Sequence, residues 1–476
     1  MAKSKRAALK PLSGLDAGFL YLEGLGTPMH VGSLMLLHRP RRRGYDFYES
    51  LLDLLAERLP RARVLRRVLQ EAPLDLGHPV WSEVASVDLR QHVLRRKLRA
   101  PGGHAQLQTL VGQLHAQPLS RDRPLWQFVV IDGHESGQPI LYSKIHHALL
   151  DGQGGVALAR LMLDLEPRIP PTRAKASAKD DPDSDETAPR KRDVARASAS
   201  AVFQQFGRLL RAVPETIKLA AAGVGELRRL KDAVLVAPRT PFNVQVGEDR
   251  RVAMCSLSLP TCKRLAKSLG VTLNDLILAL CSEALRHYLL RHKALPEASL
   301  VAAMPISLRA EGDGEANNQA SMVQCTLASD IADPLQRLQA IADSTRQIKT
   351  RLATMRHLIP TDFPGLAAPI WATGLSRLWA AGRVSERLPP LANLAISNVP
   401  GPPVSLFLAG SELQHYYPLS IVTHGLALNI TVHSYRQHLD FGLISCAAAI
   451  PRIDTLARGL ERALATFEKA AAAMEA

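Results

Sequence analysis

Residues 166–200 read EPRIPPTRAKASAKDDPDSDETAPRKRDVARASAS, a segment that cannot form part of a packed core. It is rich in proline, alanine, serine and charges of both signs, and it has almost no aliphatic side chains. Such a stretch buries too little apolar surface to offset the entropy lost on ordering. We therefore predict a disordered linker that divides the chain into an N-terminal domain, residues 1–165, and a C-terminal domain, residues 201–476.

Length and composition agree with two soluble domains. The chain has 476 residues, 46% hydrophobic and 22% charged, which is typical of globular proteins longer than one domain. No window reaches the roughly 18 uncharged apolar residues of a membrane-spanning helix, and the basic N-terminus lacks a signal peptide's apolar run. The odd cysteine count, without CxxC pairs, indicates reduced thiols in the cytoplasm. These are Cys255, Cys262, Cys281, Cys325 and Cys446.

The net charge of +15 predicts attraction to anionic partners. Charge alone does not distinguish between phosphate ligands, acidic lipid headgroups and nucleic acid as partners. The basic clusters have no interleaved aromatic residues and no recognised reading module, so we expect no nucleic-acid partner. Residues 202–235 are basic and amphipathic, and they could lie on a lipid surface or pack between the domains.

The order of apolar patterns favours an α+β fold over a doubly wound parallel sheet. In the first half, helical spacing over 46–69 precedes strands at 127–132 and 139–146, and a helix follows at 151–165. The second half combines helices with several consecutive strands. Its predicted helices are 272–290, 334–357 and 454–474, and its predicted strands are 252–259, 301–308, 393–398, 404–408, 427–432 and 439–445.

The segment His146-His147-Ala148-Leu149-Leu150-Asp151-Gly152 follows an apolar strand and precedes a helix. Histidine has an unperturbed pKa near neutrality, so a positioned ring can take a proton from an alcohol. Only one of two adjacent histidines can face a given cavity, because strand side chains alternate. Asp151 and Gly152 suit a tight turn, and the segment lacks a convincing zinc ligand set, so we expect no metal.

This segment resembles the HHxxxDG motif of the CoA-dependent acyltransferase superfamily. That superfamily includes chloramphenicol acetyltransferases, condensation domains and the bacterial wax ester synthase/diacylglycerol acyltransferases, and the last group is the nearest match. Further motifs of the group recur here in order. They are PLSGLDAGFLYLE (11–23), MHVGSL (29–34), RPLW (123–126), LNDLILAL (273–280), MPISLR (304–309) and SNVPGP (397–402).

The resemblance implies two chloramphenicol-acetyltransferase-like domains, each a mixed sheet with helices, and a tunnel between them. It makes the second histidine of the motif, His147, the general base, while His146 supports the motif. The motif's acid, Asp151, would pair with an arginine and orient the loop. Arg63 is the first candidate for that partner and Arg309 is the second.

The resemblance also implies transfer of a long-chain acyl group from acyl-CoA to diacylglycerol or a fatty alcohol, without an acyl-enzyme. Asn274 and the SNVPGP segment, with Ser397 and Asn398, are candidates to stabilise the oxyanion or contact substrate, although helix capping or a simple turn would also explain them. We expect no cofactor, since acyl-CoA is a substrate. We expect cytoplasmic protein associated peripherally with the inner membrane or lipid droplets.

Several alternatives stay open. Residues 363–382 could form a wall of the acceptor pocket, but the motifs do not separate diacylglycerol from fatty alcohol. Oligomeric state and acyl-chain preference are not fixed by the sequence. A carrier-protein-dependent condensation-type transferase and a non-catalytic lipid-surface protein are the competing functions.

Overall fold

The computed structural model describes most of the chain outside the predicted linker and a few other segments. The described residues are 9–12, 14–24, 26–71, 78–149, 158–159, 161–171, 192–194, 196, 235–307, 320–355 and 388–475. They form two six-stranded sheets, a three-stranded sheet and the helices that cover them.

The N-terminal half contributes seven of the described strands and four of the described helices. In chain order they are β1 (Lys10–Pro11), α1 (Gly14–Leu22), β2 (His30–His38), α2 (Phe47–Arg58), β3 (Arg67–Gln70), β4 (Val80–Glu83), α3 (Leu89–His92), β5 (Val93–Lys97), α4 (His104–Ala116), β6 (Trp126–Asp132) and β7 (Ile140–His146). A single 3-10 turn, His147–Leu149, follows β7 directly.

The C-terminal half contributes the remaining described strands and long helices. They are β8 (Arg250–Ser258), α5 (Leu259–Ser268), α6 (Leu273–Arg291), β9 (Val301–Ser307), β10 (Ala320–Thr326), α7 (Pro334–Met355), β11 (Leu394–Val399), β12 (Phe407–Leu408), β13 (Ser411–Leu419), β14 (Leu428–Tyr435), β15 (His438–Cys446) and α8 (Asp454–Glu475).

Both large sheets are mixed, which confirms the predicted α+β class. The N-terminal sheet has the order β12-β13-β2-β7-β6-β5, and only β5 and β6 pair in parallel within it. The C-terminal sheet has the order β10-β9-β11-β14-β15-β8, with β11 parallel to both of its neighbours. The small sheet, β1-β4-β3, is antiparallel.

A crossover from the second half completes the N-terminal sheet. Strand β13 pairs antiparallel with β2 along its length, and β12 forms the edge beside it. The register shifts between Leu413, opposite Leu37, and His415, opposite Leu36, so Gln414 forms a β-bulge. The N-terminal sheet therefore contains strands from both sides of the predicted linker, so the two sheets do not divide the chain at residues 166–200.

Among the described residues, three hydrophobic cores fill the space between these layers. One lies between the N-terminal sheet and α2, and another lies between the C-terminal sheet and the helices α6 and α8. The third core joins the two halves, because it combines α4 and the N-terminal sheet with β8 and β15. Its members include Val111, Val129, Tyr142, Met254 and Ile444.

Glycine permits the closest approaches across this third core. A Cβ added to Gly112 on α4 would lie 2.7 Å from the carbonyl oxygen of Arg250 on β8. A Cβ added to Gly442 on β15 would collide with the carbonyl oxygen of Pro418 on β13. Backbone therefore meets backbone where the two halves pack, and these contacts leave no room for a side chain.

Helix prediction was accurate for the long apolar helices α6, α7 and α8, whose observed ends lie within two residues of the predicted ones. The predicted helix over 46–69 was too long. Helix α2 ends at Arg58, where Pro60 enters the next turn, and β3 begins at Arg67. The amphipathic segment 202–234 and the predicted pocket wall 363–382 lie outside the described residues.

Two further findings concern the apolar segments. Within the described ranges no single helix has the length and hydropathy to cross a bilayer, although α5 and α6, bent by 101° at their junction, pass the same test together. All five cysteines are buried and unpaired by disulfides, in agreement with the predicted reduced thiols.

Candidate functional site

The histidine pair lies where β7 ends and the chain tightens into the 3-10 turn. The main-chain N–H of His146 donates to the carbonyl of Leu125 at 2.9 Å. The N–H of His147 donates to the carbonyl of Met29, also at 2.9 Å. The backbone of both histidines is therefore fixed by neighbouring strand ends, and the rings project from a rigid base.

The two rings have different surroundings. His146 is completely buried, and its Nδ1 accepts a hydrogen bond of 3.1 Å from the main-chain N–H of Ala148. Because Nδ1 accepts, the ring proton lies on Nε2, which is 3.5 Å from Oε1 of Glu23. That separation is long for a hydrogen bond. His147 is partly exposed, so it is the ring of the pair that a substrate can reach.

His147 is held by stacking on an aromatic ring. The centroid of its imidazole lies 3.9 Å from that of Phe19 on α1, with 23° between the ring planes. Its Nδ1 is buried and has no hydrogen-bond partner among the described residues. Burial, reinforced by the neighbouring His146, lowers the pKa of His147 to about 4. The ring is therefore neutral at physiological pH and has a lone pair available for a proton.

Glu23 connects the histidine turn to the end of α1. Oε1 accepts from the N–H of Met29 at 3.1 Å, and Oε2 accepts from Nη2 of Arg121 at 3.0 Å. Nη2 of Arg121 also donates to the carbonyl of Leu20 at 3.0 Å. Burial alone would raise the pKa of Glu23, but His146, Met29 and Arg121 together lower it to about 2. The carboxylate therefore remains ionised and fixed beside His146.

Several predicted site residues cannot be placed. Asp151, Gly152 and Arg309 lie outside the described residues. Arg63 is exposed and lies in the 3-10 helix Arg63–Arg66 that precedes β3. The pairing of Asp151 with Arg63 or Arg309 therefore stays a prediction.

Two of the three predicted oxyanion candidates contact each other in the C-terminal half. Asn398, near the end of β11, donates from Nδ2 to Oδ1 of Asn274 in the first turn of α6, at 3.3 Å. Ser397 precedes Asn398 on β11 and is paired with Thr431 of β14. Helix capping was the alternative predicted for the pair Asn274–Asp275, and Asp275 fills it by completing a capping box with Thr272. Contact of Asn274, Ser397 or Asn398 with substrate stays a prediction.

Sequence reasoning missed Phe19 and Glu23 as partners of the histidines, although both lie in the quoted segment 11–23. Their spacing of four residues was the available signal, because such residues share one face of a helix. The N–H of Glu23 still bonds to the carbonyl of Phe19 at 3.1 Å, so the helical geometry continues to Glu23. Arg121 carried no such signal, since it reaches Glu23 from the loop before β6.

Comparison with known proteins places this arrangement in a family. The model of the wax ester synthase/diacylglycerol acyltransferase catalytic domain matches residues 12–277, and the model of the WS/DGAT C-terminal domain matches residues 316–468. A protein of Mycobacterium tuberculosis named a probable diacylglycerol O-acyltransferase is 35% identical over 96% of this chain and 98% of its own length. Another M. tuberculosis protein named a diacylglycerol O-acyltransferase is 36% identical, over 96% of this chain and 99% of its own.

Solved structures agree with the sequence matches. The wax ester synthase/diacylglycerol acyltransferase from Marinobacter aquaeolei VT8 superposes with a TM-score of 0.67 and 28% identity, over 97% of this chain and all of that one. The starter condensation domain of rhizomide synthetase gives a TM-score of 0.52 at 13% identity over 98% and 94% of the two chains, which shows a shared fold alone. The chain therefore belongs to the wax ester synthase/diacylglycerol acyltransferase family.

Proposed function

We propose that this protein is an acyl-CoA-dependent O-acyltransferase that esterifies diacylglycerol or a long-chain fatty alcohol. The observation that carries the proposal is the environment of His147. Its imidazole is neutral, partly exposed and stacked on Phe19, at the end of a strand whose backbone is fixed. The family match, which spans both halves of the chain, supplies the reaction type.

The proposed step is direct transfer without an acyl-enzyme. The unprotonated nitrogen of His147 takes the proton of the acceptor hydroxyl while that oxygen bonds to the thioester carbonyl carbon. The carbon–sulfur bond then breaks, and CoA leaves as a thiol after the imidazolium returns the proton. Because a thiol has a pKa of about 8.5, this leaving group needs little assistance. Nδ1 is buried, so we assign proton transfer to Nε2.

Asn274 and Asn398 are the proposed donors to the developing oxyanion. Their mutual contact of 3.3 Å leaves amide hydrogens free to face a ligand near the start of α6. A donor of this kind contributes about 2.7 to 4 kcal/mol to transition-state stabilisation. The acyl and acceptor chains would meet at this point in a channel between the two halves.

We also propose peripheral binding to an anionic membrane or lipid-droplet surface from the cytoplasm. The net charge of +15 supports it, and so do the exposed basic side chains along the edge strand β5, namely Arg95, Arg96 and Lys97. Arg95 is paired with Asp46 and Asp132, which leaves Arg96 and Lys97 for phosphate headgroups. Cosedimentation with vesicles should increase with anionic lipid and decrease with salt, and equal binding to neutral vesicles would contradict the proposal.

The activity is tested with purified protein, palmitoyl-CoA and either diolein or hexadecanol. We expect release of free CoA together with neutral lipid, and we expect His147→Ala to abolish both. A parallel reaction with an acyl-carrier-protein donor separates this function from a condensation-type transferase. Vesicle binding with no CoA release from any acceptor would favour a non-catalytic lipid-surface protein.

A further inference from the structure

A second group of titratable side chains lies between the two large sheets, on strands other than β7, which leads into the turn that carries His147. It consists of His415 on β13 with His438 and Asp440 on β15, and we call it the inter-sheet trio. We propose that the inter-sheet trio binds a divalent metal ion, and that Zn²⁺ is the ion its donors suit. Nothing in the acyl-transfer step uses these residues, so this proposal is independent of the proposed function.

The bulge at Gln414 aims His415 at the opposite sheet. Leu413 faces the core beneath α2, whereas Tyr417 faces the core between the sheets. Without a bulge, residues 413, 415 and 417 would all point to one side of β13. The ring of His415 stacks on Tyr417 at 5.6 Å, so the register shift has turned it toward the C-terminal sheet. Bulges commonly re-aim side chains at binding sites.

Strand β15 presents the other two members from its facing side. His438 and Asp440 are two residues apart and therefore project from the same face of the sheet. The face is confirmed by Ile444, which lies in the core between the sheets. Ser256 on the neighbouring strand β8 lies 3.4 Å from Nδ1 of His438, where its hydroxyl can orient the ring.

The separations suit one small cation. Nδ1 of His415 lies 3.0 Å from Oδ1 of Asp440, and ligand atoms from all three residues lie within 4.8 Å of one another. Two ligands of a tetrahedral zinc ion, each at about 2.0 to 2.1 Å, are separated by roughly 3.3 Å. Oδ2 of Asp440 accepts from the main-chain N–H of Tyr416 at 2.8 Å, which fixes the carboxylate from behind.

The charge at this position also points to a cation. Asp440 is completely buried, and its hydrogen bonds in the described structure come from an imidazole nitrogen and a main-chain amide. The nearby Arg436 pairs instead with Glu412 at 2.9 Å. Buried carboxylates are usually paired with a charge or coordinate a metal. His415 and His438 are partly exposed, so an ion and a completing water molecule can enter from solvent.

A bound ion would link strand β13 of the N-terminal sheet to strand β15 of the C-terminal sheet. His415 belongs to a strand of the N-terminal sheet, whereas His438 and Asp440 belong to the other sheet. Two imidazoles and one carboxylate form a set that zinc accepts while leaving a fourth position for water. The prediction of no metal was argued from the ligand set of the His146–Gly152 segment. The inter-sheet trio escaped notice because its residues lie on separate strands and show no recognisable ligand spacing in the sequence.

The test is calorimetric titration of Zn²⁺ into untagged full-length protein that has been stripped with a chelator. The wild type should bind one equivalent at the inter-sheet trio, and His438→Gln and Asp440→Asn should each weaken that binding by at least about tenfold. His292→Gln is the matched control, because His292 is an exposed histidine at the end of α6, and it should bind as the wild type does.

Two further measurements support the titration. Zn²⁺ should raise the Tm of the wild type and not that of His438→Gln, because a ligand that binds the folded state stabilises it. Circular dichroism checks folding, and if Asp440→Asn fails to fold, His438→Gln at its partly exposed position carries the comparison. The proposal is overturned if the wild type shows no saturable Zn²⁺ binding, or if both ligand variants retain it.

Discussion

At the scale of single residues, the adjacent rings of His146 and His147 have different surroundings. His146 is buried between Glu23 and the N–H of Ala148, where it holds the turn. His147 is partly exposed and rests on Phe19. Strand alternation predicts that the rings diverge. It does not reveal which residues contact each ring, because Phe19 and Glu23 lie more than 100 residues earlier in the chain.

The first prediction compares matched asparagine variants. His147→Asn should lower kcat by about 10²- to 10⁴-fold, the usual contribution of a general base. His146→Asn should lower kcat much less, because the asparagine oxygen can still accept from Ala148. The measurement is CoA release at saturating substrates with both variants checked for folding. Equal losses in two folded variants would contradict the assignment of the base to His147.

The second prediction concerns pH. Burial lowers the pKa of His147 to about 4, so the base stays unprotonated well below neutrality. We expect kcat/KM to remain near its maximum as pH falls from 7 to about 5, and to decrease tenfold per pH unit below about 4. An ordinary exposed histidine would instead lose activity below about 6.5. An acid limb near pH 6.5 would therefore disprove the lowered pKa of His147.

Acid also affects stability, and the pH profile needs this control. The pKa of His147 is lowered to about 4 and that of buried His115 to about 3, whereas both groups titrate near 6.5 in an unfolded chain. Between these values the unfolded state binds more protons. The free energy of unfolding should therefore decrease as pH falls from about 6.5 to about 4. Circular dichroism at each pH separates loss of fold from loss of the base.

At the scale of elements, α1 and β7 are joined by one carboxylate. Glu23 at the end of α1 contacts Arg121, the N–H of Met29 and the ring of His146. Its ionised form, with a pKa of about 2, places negative charge where these donors converge. The residue does not need to touch substrate to matter, because it positions the turn that carries His147.

The third prediction is that Glu23→Gln lowers kcat with little change in KM for acyl-CoA, because the turn loses an anchor rather than a substrate contact. The substitution should also destabilise the fold by about 1.5 to 3 kcal/mol, the usual contribution of hydrogen bonds to a charged group, because the hydrogen bonds from Met29 and Arg121 would weaken. Glu71→Gln is the control, because exposed Glu71 lies 3.9 Å from the same arginine. Equal effects of the two variants would contradict the positioning role.

Sequence patterns predicted an element well where its apolar side packs into a single core formed by the same half of the chain. The helices α6, α7 and α8 repeat apolar residues at helical spacing, and their ends were accurate. Strand β13 was not predicted. Its side chains face different cores on either side of the bulge at Gln414, so its sequence does not alternate cleanly. The strand can be recognised from such a sequence only when the residues that pack against both of its faces are known.

At the scale of the whole molecule, the core between the sheets determines how the halves meet. Its closest contact is Gly442 on β15 against the carbonyl of Pro418 on β13. The fourth prediction is that Gly442→Ala destabilises the protein by about 1 to 3 kcal/mol or more, because backbone must move to admit the methyl group. Gly247→Ala is the control, since a Cβ at Gly247 meets nothing within 4 Å. Denaturant unfolding that gave equal midpoints would disprove the close contact.

The overall architecture was predicted at the level of class and family, and its crossover was not. The family resemblance implied two domains, each a mixed sheet with helices, and two large mixed sheets with helices are observed. The return of β12 and β13 to the N-terminal sheet depends on pairing between residues almost 400 positions apart, such as Pro418 with Ser33. Local patterns carry no information about such long-range pairing, so the division at the linker could not anticipate it.

The return of β13 limits how this chain could be cut. A fragment that ended before residue 200 would lack the strand beside β2, and the N–H and C=O groups along that side of β2 would become an unpaired edge open to aggregation. The remaining fragment would hold β13 without its partner. If the two fragments are expressed from separate genes, we expect soluble protein only when both are produced together. Strands β2 and β13 can then pair, and each fragment covers the open strand of the other.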